Sequence, residues 1–160
     1  MAKIDPGERA LATNRRALHQ YEVLERAEAG LALVGTEVKS LRDGGLNFSD
    51  SYVDFRGGEL FLVGCRIAPY SHGNYLNHVP DRDRKLLLHK REMARFLGAI
   101  QRQGMALVPL RLYFNARGIA KLQLGLGRGK KIHDKREAIK RRDTEREARR
   151  EMSVRVRVRV

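Results

Sequence analysis

The chain of 160 residues has no tryptophan, one cysteine and no long apolar run. The lone Cys65 rules out an internal disulfide framework and fits a reducing compartment. It sits in the apolar stretch Leu60 to Ile67 and reads as a small core residue. No apolar run approaches the roughly 18 residues of a membrane-spanning helix. The opening MAKIDPGERALATNRR has no apolar segment of the secretory kind. Five tyrosines and five phenylalanines are few for a platform that stacks many single-stranded bases. The pattern favours recognition of a folded nucleic acid.

Acidic charge is scarce too: 33 Lys and Arg stand against 19 Asp and Glu, a net +14 with pI about 10.6. More than half of that excess, +8, lies in residues 128–160. Between Lys135 and Arg150 the only apolar residues are Ala138, Ile139 and Ala148. Such a segment cannot bury enough surface to offset its ordering entropy, and it suits a polyanionic partner. The chain divides accordingly into a mobile lead-in (1–13), a folded domain (14–131) and a basic tail (132–160), disordered when free and helical when bound.

Within the domain, Tyr21 to Val34 reads as two strands broken at Glu28-Ala29-Gly30. A short helix capped by Thr36 follows. Ser51 to Phe55 and Glu59 to Ile67 pair across Arg56-Gly57-Gly58. Residues 69–80 form a loop. Met93, Phe96, Leu97 and Ile100 recur at three and four, with Leu86 and Leu87 extending the apolar side of a helix that Gly104 ends. Leu110, Leu112 and Phe114 alternate with Arg111 and Tyr113, as Leu122, Leu124 and Leu126 do with Lys121, Gln123 and Gly125, the mark of half-buried strands. The expected fold is mainly β, a small oligonucleotide-binding-type barrel of about six strands with two or more short helices.

Catalytic and metal constellations are not legible. Gly125-Leu-Gly-Arg-Gly129-Lys130-Lys131 fails the phosphate-loop pattern and reads as a flexible exit from the last strand, with two lysines aimed at phosphate. His72 and His78 share a loop and read as solvent-exposed. Asp81 and Asp83 alternate with Arg82 and Arg84 and read as locally neutralised. Arg82 to Arg91 is a basic cluster around an apolar Leu triplet, either a grip on a phosphate ridge or a solvated helix start.

Several segments together resemble the SsrA-binding protein, or small protein B (SmpB), family. They are Asn14-Arg-Arg-Ala-Leu-His19-Gln-Tyr21, Glu28-Ala-Gly-Leu-Ala-Leu-Val-Gly-Thr-Glu37-Val-Lys-Ser-Leu-Arg42, Asp50-Ser-Tyr-Val53, Asn77-His78 with Pro80, Arg84-Lys-Leu-Leu-Leu-His-Lys90, Pro109-Leu-Arg-Leu-Tyr113 and Gly129-Lys-Lys-Ile-His-Asp-Lys-Arg-Glu137. The resemblance implies a cytoplasmic adaptor, monomeric when free, with no catalytic activity, no cofactor and no membrane partner. Its partners are transfer-messenger RNA and the ribosome, at the small-subunit decoding centre and messenger channel. It implies RNA contacts at Asn14, Glu28, Leu87 and His89, with His19, Tyr21, Lys130 and Lys131 as additions. His133, Asp134, Lys135 and Arg136 fall on the decoding-centre segment, and Met152 on a late tail contact. For Glu28 and Leu87 the alternatives are structural, a carboxylate at a strand break and a core leucine. The readings from composition alone are a general basic ribosome-associated protein or an anionic-membrane binder, and the tail lacks the bulky apolar face the latter requires. The alternating Val-Arg end, 153–160, departs from the family's helical tail and suits a strand.

Overall fold

Two-residue alternation is answered by strands. The computed structural model describes residues 6–130 and 132–158. In order these are β1 (Arg9–Thr13), α1 (Arg15–Gln20), β2 (Tyr21–Leu31), α2 (Gly35–Arg42), β3 (Leu46–Asn47), β4 (Tyr52–Arg56), β5 (Glu59–Val63), β6 (Arg66–Ile67), a 3-10 turn (Asn74–Leu76), β7 (Arg84–Leu87), α3 (Lys90–Gln103), β8 (Ala106–Phe114), β9 (Ala120–Gly129) and α4 (Ile132–Val158). Seven strands form one antiparallel sheet in the order β1-β8-β9-β2-β7-β5-β4, and β3 pairs with β6. The chain divides into two units, residues 1–128 and 129–160.

The first unit has its core between the sheet and α3. Phe96 on α3 and Leu41, Leu60, Leu62, Leu86, Leu112, Leu122 and Leu124 are all but fully buried. Each such side chain contributes about 1.5–3 kcal/mol. Gly104 ends α3 in the left-handed conformation at φ 61°, as the sequence indicates. Gly57 and Gly58, at φ 56° and 78°, supply the two positive angles that the β4–β5 hairpin needs.

Five local expectations are corrected. Residues 9–13, placed in the mobile lead-in, pair with β8. β2 is one strand without a break at Glu28. Asn14 starts a short helix, α1, that periodicity did not show. Leu86 and Leu87 belong to β7, paired on both sides by β2 and β5, with Leu86 inward and Leu87 outward. The fifth correction concerns β8. Its pairing with β9 shifts by one residue between Pro109 and Arg111. This bulge turns Leu110 away from Leu112 and Phe114 into a second apolar cluster with Ala17 and Val108, under α1.

Nor is the glycine-rich end of β9 a flexible exit. A Cβ on Gly125 would meet Leu110 Cδ1 at 2.8 Å, and one on Gly127 would meet the Glu22 carbonyl oxygen at 2.2 Å. These glycines let β2 approach β9. Gly127→Ala is therefore expected to lower unfolding stability by at least about 2 kcal/mol in a urea titration. Gly129→Ala, where an added Cβ meets nothing, is expected to be nearly neutral.

The second unit carries α4, 27 residues long. The side chains described from Arg136 to Arg150 are exposed, with the exception of Ala138, which lies outside the described ones. The helix runs through the Val-Arg alternation as far as Val158 instead of becoming extended. A strand must find a partner for its backbone groups, whereas a helix satisfies them locally. Among the described residues no helix is long and apolar enough to cross a membrane.

Candidate RNA-binding face

A buried charge cluster lies at the start of β7. Glu37 and Arg84 are both fully buried. Arg84 Nε donates to Glu37 Oε1 (2.9 Å), its Nη2 to the Pro80 carbonyl (3.0 Å) and its Nη1 to the Cys65 carbonyl. Arg82 Nη2 donates to Glu37 Oε2 (2.7 Å) and the Val34 amide donates to the same oxygen (2.9 Å). Burial alone pushes the Glu37 carboxyl up. The hydrogen bonds from Arg82, Val34 and Arg84 outweigh it and hold the group below its usual value. This cluster ties α2 to the start of β7, whose far end carries Leu87. Burial also pushes the neighbouring Cys65 thiol up to about 11.

Of the basic cluster at 82–91, then, Arg82 and Arg84 are structural. Asp81 and Asp83 are not neutralised by them either: Asp81 pairs with Arg66 (2.9 Å) and Asp83 with Arg56 (2.6 Å). Thr36 does not cap α2. Its hydroxyl bonds His78 Nδ1 (2.9 Å), and His78 Nε2 meets the Ile67 carbonyl (3.0 Å), so His78 is a loop anchor and not a solvent-exposed side chain. Its partner in the loop, His72, is exposed.

The expected contact residues fall into groups. Glu28, Leu87 and His89 come together. Gly30 pairs with Leu87 in the β2–β7 register. Continued past the last pair, that register sets Glu28 against His89. Leu87 is 52% exposed, so its side chain is not core. His89 is exposed at the N-cap of α3, with no capping bond from its side chain. Glu28 is not at a strand break, yet it has structural partners: Tyr113 Oη donates to its Oε2, and Lys121 Nζ lies 3.5 Å from its Oε1. Half its side chain remains exposed. Burial, and then the Glu28 carboxylate, push the Tyr113 phenol well above its usual range, so it stays a donor.

Tyr113, buried, and Lys121 brace Glu28 from the neighbouring strands, a role the sequence pattern does not show. They are cross-strand partners in β8 and β9. That they share a face opposite the core leucines was visible in the alternation; their meeting with Glu28 required the β9–β2 neighbour relation. Arg26 Nη1 donates to Gln123 (3.2 Å), and Arg111 stacks over Tyr113 with its carbon 4.6 Å from the ring centre while pairing with Glu8. The sheet thus presents a ladder of alternating acids, bases and hydrogen-bonding groups. Beside it, a cleft of about 530 Å³ lined by Glu59, Lys85, Leu87, Lys90 and Met93 offers an apolar floor and a charged rim on which Lys85 pairs with Glu59.

Asn14, His19 and Tyr21 gather at the other end of β2, roughly 23 Å from Glu28 at 3.3 Å per residue. Asn14 is buried. Its side-chain oxygen accepts from the Ala17 amide (3.0 Å), and its own amide donates to the Leu110 carbonyl (2.7 Å). The oxygen is therefore committed to capping α1 and only the side-chain NH₂ remains to donate. His19 Nδ1 is buried without a partner in the structure. Tyr21 packs half-buried on the Leu110 cluster and lines a 210 Å³ hollow with Asn14, Arg16 and Gln20. Lys130 belongs to the second unit. Lys131 lies outside the described residues, as do the side chains of His133, Asp134, Lys135 and Met152; Arg136 is exposed. Among the described residues no group of three His, Cys, Asp or Glu is placed to hold a metal ion.

These features define a small, strongly basic, mainly β protein whose candidate binding surface is a sheet face flanked by a helix, followed by a long charged helix. A family model described as SmpB protein matches residues 11–154, and the chain belongs to that family. It is 52% identical over 153 residues to an SsrA-binding protein of Nitratidesulfovibrio vulgaris, covering 96% of this chain and 99% of the relative. It is 57% identical over 137 residues to an SsrA-binding protein of Chelativorans sp., covering 86% and 88%. A solved structure described as "tmRNA-SmpB: a journey to the center of the bacterial ribosome" contains a chain 55% identical, superposing with a TM-score of 0.62 over 80% of this chain and 93% of that one.

Proposed function

We infer that the protein binds the transfer-RNA-like domain of transfer-messenger RNA and delivers it to the vacant A site of stalled ribosomes. The observation that carries this reading is near-full-length similarity, above 50% identity, to SsrA-binding proteins and to a chain solved in a tmRNA–SmpB setting. It works as a cytoplasmic adaptor and not as an enzyme. The sheet is read as an oligonucleotide-binding-type barrel. In support, β4, at one end of the hydrogen-bonded order, lies against β8, next to the other end. The residue assignments are these. Glu28, Leu87 and His89, with Lys121, form one contact, and the buried Tyr113 braces Glu28 from behind it; Asn14, His19 and Tyr21 form a second. Lys130 and Lys131 meet phosphate. In the second unit His133, Asp134, Lys135, Arg136 and Met152 meet the decoding centre and the messenger channel. α4 has no apolar stripe, so its helix is marginal in the free protein and is held by the ribosome.

The test is competition. At about 0.15 M salt the full chain should prefer the transfer-RNA-like domain to bulk transfer RNA and to random RNA of equal length. Equal affinities would leave a general basic ribosome-associated protein. Salt is fixed because phosphate contacts make affinity fall steeply with it.

Glu28→Ala is expected to weaken selective binding about 10- to 150-fold, the worth of one hydrogen bond to a charged group. It also strands the Tyr113 hydroxyl, at a stability cost of about 1 kcal/mol. Tyr113→Phe separates the two effects: it removes the donor and keeps the carboxylate, so affinity is expected to hold. Lys130→Ala should weaken binding to all RNAs and flatten the salt dependence by roughly one phosphate contact. Loss of melting temperature with unchanged affinity in Glu28→Ala would make that residue purely structural.

A further inference from the structure

From Leu60 to Pro80 the chain carries no carboxylate. This stretch includes the long loop between β6 and β7, and the loop is clasped at its base. The Asn77 side chain accepts from the Tyr70 amide (3.0 Å) and donates to the Tyr70 carbonyl (2.7 Å). His78 bridges Thr36 and the Ile67 carbonyl, and the Ile67 amide donates to the Pro80 carbonyl (3.0 Å). Asn74, at φ 46°, is the one non-glycine with positive φ among the described residues, a conformation the clasp must hold in place.

Above this clasp the tip is given to solvent. Tyr75 is 92% exposed, Leu76 75% and Val79 66%. A polar clasp that fixes a loop while leaving a tyrosine and a leucine in water does not use them for the protein's own core. The tip is cationic and aromatic at its root: Lys39 Nζ sits 5.6 Å from the centre of the Tyr70 ring, and the Tyr70 and His72 rings are 5.4 Å apart. Flat π surfaces and a nearby ammonium suit a nucleobase beside its phosphate, and the first acid beyond the loop, Asp81, is taken up by Arg66 (2.9 Å). Three apolar side chains are too few for a stable protein interface, which asks for about 800 Å² on each partner, but one unstacked base needs no more.

We propose that the tip of this loop, with Tyr75 as platform, stacks on an unpaired base of ribosomal RNA. The proposal rests on the reading that the protein acts on ribosomes. The loop enters β7 at Arg84, the end opposite Leu87 and His89; Arg84 to His89 is roughly 17 Å of extended chain. The tip therefore stays available while the sheet face holds its own RNA.

The experiment uses the full chain with two purified probes, transfer-messenger RNA and vacant ribosomes. Tyr75→Ala, at an exposed position, should keep the parent's melting temperature and its affinity for transfer-messenger RNA within twofold. It should lose about tenfold in affinity for ribosomes, the size of one stacking contact. Tyr75→Phe should match the parent. p-Azidophenylalanine at position 75 should photo-crosslink to ribosomal RNA. Unchanged ribosome binding by Tyr75→Ala overturns the proposal alone. So does a loss on transfer-messenger RNA, a loss in Tyr75→Phe equal to that in Tyr75→Ala, or a crosslink to a ribosomal protein. A parent chain with no affinity for ribosomes overturns the functional reading and this proposal together.

Discussion

Deletion of residues 134–160 is expected to leave binding to transfer-messenger RNA within a few-fold of the parent at fixed salt and to abolish peptide tagging on stalled ribosomes. The expectation comes from the division of the molecule. Residues 1–128 contain the sheet, the apolar core and the Glu28, Leu87 and His89 face. The tail has charge but no stripe with which to build a core. Lys, Arg, Glu and Ala are good helix formers, and Glu137 with Arg141 and Glu145 with Arg149 stand at the supportive four-residue spacing. Each such pair contributes only about 0.2–0.5 kcal/mol. Two measurements check this, a filter-binding titration and a tagging assay on ribosomes stalled without a stop codon. A shortened protein that still supports full tagging would refute the division of labour. Strong hydrogen-exchange protection of α4 in the isolated protein would refute its marginal stability.

Glu37→Ala is the substitution expected to damage the fold most. It removes the acceptor of two guanidinium groups and leaves Arg84, fully buried, without a counter-charge. Breaking a buried pair in this way costs about 3–5 kcal/mol. Urea unfolding at pH 7 should show this loss, and Glu37→Gln, which keeps the shape and one acceptor, a smaller one. The pH dependence has a definite sign. The folded Glu37 carboxyl lies below its ordinary value of 4.5. Its contribution is therefore complete above that value and fades as pH falls through the lower folded one. The gap between parent and variant should be widest at neutral pH and should narrow in acid. A gap that stays constant from pH 7 to pH 3 would show that the carboxylate charge is not what stabilises the cluster.

The sequence made legible whatever is stated by local period or by turn chemistry. Alternation in Leu122, Leu124 and Leu126 placed β9; the spacing of Met93, Phe96 and Ile100 placed α3; paired glycines placed the β4–β5 hairpin. What failed depended on partners distant in the chain. Leu86-Leu87-Leu88 is equally consistent with a helix until β2 and β5 are known to flank it. Leu110 belongs to the alternation on paper, and only the shifted register against β9 reverses its face. Arg82 and Arg84 look like a surface charge run because the carboxylate that binds them is more than forty residues away. The same limit applied to the candidate face. The family resemblance picked out Glu28, but its contacts with Tyr113 and Lys121 cross three strands. Asn14 was legible as a polar residue of interest. That its oxygen caps α1 was not, since α1 has six residues and only Ala17 fully buried.

The strand order also has a consequence for how the molecule is made. The first two strands of the chain take their places beside the last two: β1 joins β8, and β2 joins β9. Synthesis is vectorial, at about 5–20 residues per second. Between completion of β2 at Leu31 and of β9 at Gly129, the nascent chain waits on the order of 5–20 s with strand edges open. Local hairpins such as β4–β5 can close during that interval. Sealing the sheet is a long-range event of high contact order, slow relative to helix formation. The newborn polypeptide is thus most exposed to aggregation just before β9 appears, and the charged segment translated after it adds like-charge repulsion between chains while closure is completed.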